Sequence, residues 1–259
     1  MIPQLAINAW ANVVGWSTDE QLEQDLTLSR LIVEIANHPY LGDELVFRGG
    51  TCLHKLHLSP GLRYSEDLDY VRRSASGIGE LIGALRAVGD NLGMKVSYDV
   101  SKYPKVLLKA PFESGNGTMK VKIEVNTYER SPARPLARVP FSVESQWFSG
   151  AANVQTFDLA ELVSTKIRAL YQRSKGRDLF DLWLVLTRLG VPADDILASF
   201  SPYRPEKFSA ALAIENLLAK THEARFRDDL LPLIGAWPDE YDIDVAASLV
   251  IEQVLSRID

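Results

Sequence analysis

Two hydrophobic periods divide this chain. Between residues 45 and 127 short strand-like apolar runs, several of them alternating, are bounded by Gly, Pro and Ser and separated by two helical stretches; from Asp158 onward apolar residues recur at helical spacing. A chain patterned in this way builds a small mixed β-sheet first and a C-terminal α-helical bundle second, an α+β fold. The length of 259 residues is enough for a sizeable core in one large or two modest domains. The Pro- and Arg-rich stretch from Glu129 to Pro140 reads as a loop. It sets the expected domains at 1–140 (α+β) and 141–259 (helical, completing a cleft).

The strand candidates are Leu45 to Phe47, Ser65 to Val71, Lys95 to Val100, Lys105 to Ala110 and Thr118 to Thr127. Helices are expected at Asp19 to Asn37, which has an acidic first turn, at Cys52 to Leu58 and at Ile78 to Met94. Asp158 followed by Glu161 ahead of an apolar run forms a capping box. The helices beyond it fall at about 176–190, 193–200, 205–220, 222–231 and 242–258.

Composition removes several classes of function. A hydrophobic fraction of 46% excludes wholesale disorder, and the single cysteine, Cys52, excludes a disulfide framework or a Cys-rich zinc site. His54 and His57 lie one turn apart without further ligands and read as helix-surface residues. The longest apolar run, Leu179 to Val191, is broken by Asp181, Thr187 and Arg188, so no membrane span is expected. With no secretory signal pattern either, the expectation is a soluble cytoplasmic protein. The net charge of −6 argues against avid non-specific nucleic-acid binding. Local basic clusters, Arg168, Arg173, Lys175 and Arg177, and again Arg130, Arg134 and Arg138, still leave room for an RNA substrate.

Five groups of residues carry chemistry. An apolar strand entering Gly49-Gly50-Thr51 and then a helix presents backbone N–H groups that suit a phosphate, although a plain tight turn has the same sequence. Asp67 and Asp69, two apart on a strand, share one face, while Leu68 and Tyr70 share the other. Such paired carboxylates repel unless a cation lies between them, and hard oxygen donors suit Mg²⁺; a solvated acidic face is the alternative. In Lys120 to Asn126, Val121, Ile123 and Val125 form a buried face. Glu124 on the opposite face becomes a third acid if this strand lies beside that of Asp67. That layout holds divalent cations for phosphoryl transfer. Lys166 falls within the apolar stripe of its helix, so it either snorkels or sits beside an anion. Asp178 and Asp181, one turn apart on a helix apolar nearly all round, need partners, for which Lys166, Arg173 and Arg177 are candidates.

In order and spacing, Phe47-Arg48-Gly49-Gly50-Thr51-Cys52-Leu53, Arg63-Tyr64-Ser65-Glu66-Asp67-Leu68-Asp69, Ile123-Glu124-Val125, Lys166 and Arg177-Asp178-Leu179-Phe180-Asp181-Leu182 resemble the AbiEii family. This family comprises nucleotidyltransferase toxins of type IV abortive-infection and MenT-type toxin–antitoxin systems. The likeness covers about residues 20–190. It implies a polymerase-β-like nucleotidyltransferase core that moves a nucleoside monophosphate from an NTP to an acceptor. In characterised relatives the acceptor is the 3′ end of tRNA, which blocks translation, and a cognate antitoxin neutralises the toxin.

Carried over by position, Ser65, Asp67 and Asp69 are the first-motif residues. Lys166 and Asp178 match the later lysine and aspartate, and Asp181 is the second acid of that last motif. Thr51 stands where many nucleotidyltransferases have Ser. The mechanism this implies has Asp67, Asp69 and Glu124 on Mg²⁺, with Glu124 alternatively taking the acceptor's proton. Gly49, Gly50 and Thr51 cradle the β- and γ-phosphates and Ser65 lines the entrance. Lys166 neutralises the triphosphate, and Asp178 orients Lys166 or acts as base. Transfer to a small molecule or a protein hydroxyl uses the same residues. A metal-dependent glycosyltransferase leaves the Gly-Gly turn, Glu124 and Lys166 unexplained, and a binding module with a degenerate site conflicts with the full set of acids.

Overall fold

A computed structural model describes residues 2–115 and 117–258. The chain divides into two compact units, Met1–Ser131 with Leu136–Phe157, and Pro132–Pro135 with Asp158–Asp259. The first holds helices α1 (Gln4–Trp10), α2 (Asp19–Asn37), α3 (Leu41–Glu44), α4 (Gly49–Leu56) and α5 (Gly79–Asn91). Its strands are β1 (Leu45–Arg48), β2 (Asp67–Arg72), β3 (Lys95–Asp99), β4 (Lys105–Pro111), β5 (Thr118–Asn126), β6 (Ala137–Glu144) and β7 (Ser149–Thr156). They form one seven-stranded mixed sheet in the order β3-β4-β5-β2-β1-β7-β6.

The sheet therefore continues past residue 140, where the sequence places the domain boundary. β6 and β7 pair antiparallel from Ala137↔Thr156 to Glu144↔Ser149, and β7 joins β1 in parallel through Phe47↔Thr156. Pro140 hides this strand from a sequence reading. It is tolerated because β6 is an edge strand, where a missing N–H leaves no ladder bond unmade.

Alternation sorts the two faces of the central strands. Leu68, Tyr70, Val121, Ile123 and Val125 are all at most 3% exposed. α2 runs against β5, β6 and β7, and α5 against β3 and β4. α2 is capped by Thr18, whose hydroxyl accepts the Gln21 N–H at 3.2 Å. Within this unit Arg72 is 2% exposed, with its Nε donating to Glu44 at 2.6 Å and its Nη1 to the Ser76 carbonyl at 2.7 Å. A fully buried arginine survives only when its donors are met in this way.

The second unit is helical throughout its described elements: α6 (Leu159–Gln172), α7 (Gly176–Leu184), α8 (Ala193–Ala198), α9 (Ala210–Thr221), α10 (Ala224–Arg227) and α11 (Ile243–Gln253), with short 3₁₀ and π turns between. Asp158 caps α6 through the Ala160 N–H at 3.1 Å. Glu161 does not close the expected capping box. It is fully buried and accepts from Ala133 N–H, Arg134 N–H and the Tyr203 hydroxyl. Among the described residues no helix is long and apolar enough to cross a membrane.

Candidate active site

β2 and β5 lie side by side in parallel, with Asp67 opposite Lys122 and Asp69 opposite Glu124. This register supplies the condition that the sequence left open. The third carboxylate joins the first two on one face, because side chains two apart on a strand, and paired neighbours across it, point the same way. β1 runs antiparallel to β2 on its other side, with Arg48 opposite Asp69. The Arg48 guanidinium donates to Glu129 at 2.5 Å.

α4 begins directly where β1 ends. Gly49 has φ +82°, and a Cβ there would lie 2.5 Å from Asp69 Oδ2. The glycine is thus required twice, for its left-handed backbone and for the close approach of a carboxylate. A Cβ on Gly50 would lie 2.3 Å from a terminal nitrogen of Arg63, which is itself 3% exposed. The N-terminus of α4 has no side-chain cap. Gly49→Ala is expected to lower stability by at least ~2 kcal/mol, from left-handed strain plus the clash; a thermal melt beside wild type measures it.

Thr51 is placed differently from the expectation that it contacts phosphate. It is 2% exposed, and its Oγ1 lies 2.5 Å from the Asp67 carbonyl oxygen and 2.7 Å from Ser65 Oγ. A hydroxyl has one proton to donate, so the Asp67 carbonyl takes it and Ser65 completes the pair. Thr51 and Ser65 together tie α4 to the start of β2. His54, read from sequence as a surface residue, is 3% exposed, and its Nδ1 accepts the Leu62 N–H at 3.3 Å.

The electrostatics of the face are those of crowded acids. Burial pushes the Asp69 carboxyl above its ordinary 3.8; Arg48 and Lys122 counter this, while Asp67 and Glu124 add to it. Lys122 Nζ stands 2.9 Å from Asp67 Oδ2 and 3.6 Å from Glu124 Oε2, and Lys105 Nζ is 3.5 Å from Glu124 Oε2. Burial disfavours the Lys122 ammonium, but its hydrogen bond to Asp67 and the surrounding carboxylates outweigh this, so its pKa is raised.

Among the described residues no three His, Cys, Asp or Glu side chains converge closely enough to hold a metal ion together. The donor chemistry nevertheless fits a hard divalent cation. Three carboxylates share a face, burial and repulsion raise the pKa of one of them, and a lysine ammonium already bridges the other two.

A raised carboxyl pKa has a signed consequence for stability. The folded state holds the Asp69 proton more tightly than the unfolded chain. The resulting stabilisation is full below pH 3.8 and is lost as pH rises through the folded-state value. Asp69→Asn keeps the neutral form at every pH. Its melting temperature should exceed that of the metal-free wild type at pH 7–8, and the gap should close below pH 3.8; melts across pH test both.

The second unit gathers its own charges. Lys166 is 4% exposed and Asp178 and Asp181 are both 0% exposed. Lys166 Nζ lies 2.6 Å from Asp181 Oδ2 and 3.5 Å from Asp178 Oδ1. Arg173 grips Asp178 with two bonds, Nε to Oδ2 at 2.6 Å and Nη2 to Oδ1 at 2.7 Å. Lys166 therefore does not snorkel; it is held by anions, and Asp181 is its nearer partner. Arg177 instead faces Asp229, at 3.8 Å. Tyr241, ringed by Phe180, Trp183 and Trp237, closes the aromatic side. Its hydroxyl pKa is raised by burial and then by Asp181.

Sequence reasoning named the acids and offered Arg173 among the partners of Asp178, which the structure bears out, but it missed Arg48 beside Asp69 and Arg63 beneath Gly50. Arg173 carried a signal in its position seven residues beyond Lys166 and five before Asp178. The other two become visible only through the register of β1 and the missing Cβ of Gly50. The arginines and lysine suggested as an RNA surface are largely committed elsewhere: Arg134 to Asp195, Arg138 to Asp43, Arg173 to Asp178 and Lys175 to Asp229.

Comparison with known proteins bears on the fold and the family. Among solved structures, JHP933 from Helicobacter pylori aligns over 93% of this chain and 96% of its own, at 16% identity and a TM-score of 0.52. MenT4, the nucleotidyltransferase toxin Rv2826c of Mycobacterium tuberculosis H37Rv, aligns over 96% of this chain and 99% of its own, at 15% identity and a TM-score of 0.51. At such identities these likenesses speak for the fold. No curated protein matches the sequence. The profile of the nucleotidyl transferase AbiEii toxins of type IV toxin–antitoxin systems matches residues 30–248. With the greater part of its length matched, the chain belongs to the AbiEii family and is a toxin nucleotidyltransferase.

Proposed function

We propose that the first unit, Met1–Ser131 with Leu136–Phe157, forms a polymerase-β-like nucleotidyltransferase core and that the enzyme transfers a nucleoside monophosphate from an NTP to the 3′ end of tRNA. The observation that carries the reading is the pairing of Asp69 with Glu124 beside Asp67, next to the glycine turn that opens α4. Asp67, Asp69 and Glu124 would hold Mg²⁺. Bound there, the metal would offset charge on the triphosphate and favour ionisation of the acceptor hydroxyl. The N–H groups at the start of α4, with Arg48 and Lys122 alongside, suit the phosphates. Thr51 and Ser65 act by fixing the Asp67 backbone. Glu124 alternatively accepts the acceptor's proton. Lys166 and Asp178 are assigned to the triphosphate and to its positioning by their match to the family pattern.

A tRNA ending in an added nucleotide cannot be aminoacylated, so translation stops. That outcome suits a growth-arresting toxin acting in the cytoplasm in phage defence, held in check by a cognate antitoxin. The test incubates the enzyme with Mg²⁺, each of the four labelled NTPs and a panel of purified tRNAs. Label joined to RNA 3′ ends is expected; label on protein or small molecules alone would remove tRNA as the acceptor.

A further inference from the structure

Beyond Glu124, β5 ends at Asn126, whose side-chain oxygen accepts the N–H groups of Tyr128 and Glu129 at 2.8 and 3.0 Å and turns the chain. On the neighbouring strand the ladder extends past Lys105 to Pro104, whose carbonyl accepts the Val125 N–H at 2.9 Å. Two tyrosines therefore stand at the common end of the strands that carry Glu124 and Lys105. Tyr103 is 39% exposed and Tyr128 is 61% exposed, so neither is a core aromatic. Their rings meet edge to face at 5.9 Å, with planes 69° apart. The Lys102 ammonium lies 5.5 Å from one ring centroid and 5.6 Å from the other.

This cluster is neither an apolar patch nor a plain charged one. Lys102 lies against both rings, Arg130 is an exposed residue two positions beyond Tyr128, and the nearby acid Glu129 is bonded to Arg48. Open ring faces with cations beside them suit a chain of alternating flat bases and phosphates. A base gains by stacking on a ring, and each phosphate is met by an ammonium or guanidinium. Protein interfaces lose lysine from their centre, whereas here the Lys102 ammonium lies against both rings. Tyr128 follows Glu124 by four residues, at most roughly 13 Å of chain, so an RNA end held here has its terminus within a few nucleotides of the carboxylates.

We propose that Tyr103, Tyr128, Lys102 and Arg130 form a stacking platform for the single-stranded end of the acceptor RNA. This rests on the nucleotidyltransferase reading above and adds to it the place where the acceptor is held. The test uses fluorescence anisotropy of a labelled single-stranded RNA of about ten nucleotides with the full-length protein. Combined Tyr103→Ala and Tyr128→Ala should weaken binding by about 10- to 100-fold. Tyr103→Phe with Tyr128→Phe, which keeps both rings, should stay within about twofold. Lys102→Ala should weaken binding and flatten its salt dependence. In every variant NTP binding and the melting temperature should match wild type.

RNA binding that survives the loss of both rings overturns the platform, as does an equal loss in the phenylalanine pair. Intact RNA binding together with loss of a co-purifying protein would make this face a protein interface, and would overturn it too. Failure of the enzymatic reading is separate: there, wild type itself binds no NTP and transfers no label.

Discussion

Asp67→Ala protein should transfer nucleotide at least ~10³-fold more slowly than wild type while melting at nearly the same temperature. The reasoning begins with the side chain's surroundings. Its carboxylate is 42% exposed and its partner in the structure is the half-exposed Lys122, at 2.9 Å. A pair so accessible to water contributes at most about 1 kcal/mol to folding, so removing Asp67 leaves the sheet intact. Its chemical role has no substitute, because Asp69 and Glu124 alone offer one fewer hard donor on the face that is proposed to hold Mg²⁺. Rates in saturating NTP and RNA, beside melting curves, separate the two effects. A slow but well-folded variant is the expected result; wild-type rates would remove Asp67 from the site.

At Lys166 a loss of stability is expected as well. There the ammonium is 5% exposed, with Asp181 at 2.6 Å and Asp178 at 3.5 Å, both acids fully buried. Lys166→Met leaves the Asp181 carboxylate without its close cation in a dry setting. Breaking a buried pair from one side destabilises by about 3–5 kcal/mol, a fall in melting temperature of roughly 10 °C in a chain of this size. Removing the stranded charge as well, in Lys166→Met with Asp181→Leu, should return most of that loss. Asp178 should remain in place in both variants, since Arg173 holds it through two bonds. If Lys166→Met melts like wild type, the buried network is not what the geometry indicates.

How much of this the sequence made legible depended on whether a feature was local. Alternation in Ser65 to Val71 and Lys120 to Asn126 was enough to put Asp67, Asp69 and Glu124 on solvent-side faces, because the period of a strand is a property of the strand alone. Which strand lies beside which is not local. The sequence could only make Glu124's membership conditional, and the parallel β2–β5 register supplies it. The last two strands were missed for a physical reason: Ser149–Thr156 is made largely of small and polar residues, and in Ala137–Glu144 the alternation of Val139, Phe141 and Val143 is interrupted by Pro140, which argues against a strand.

Side-chain roles were the least legible. Thr51 has the residue type of a phosphate contact but is turned inward, onto the Asp67 carbonyl. His54 looked exposed on a short helix and proved buried, and Arg72 carried no sign that it would be enclosed with Glu44. For Lys166 the pattern offered two readings, and the structure selects an anion partner supplied by the protein itself.

The most direct test of the account is a crystal structure of the enzyme with Mn²⁺ and a non-hydrolysable NTP analogue, with the metal located by its anomalous signal. The account predicts metal bonded to the Asp67 and Asp69 carboxylates, with the triphosphate against the start of α4. Anomalous density elsewhere, with those carboxylates left unbonded, would contradict it.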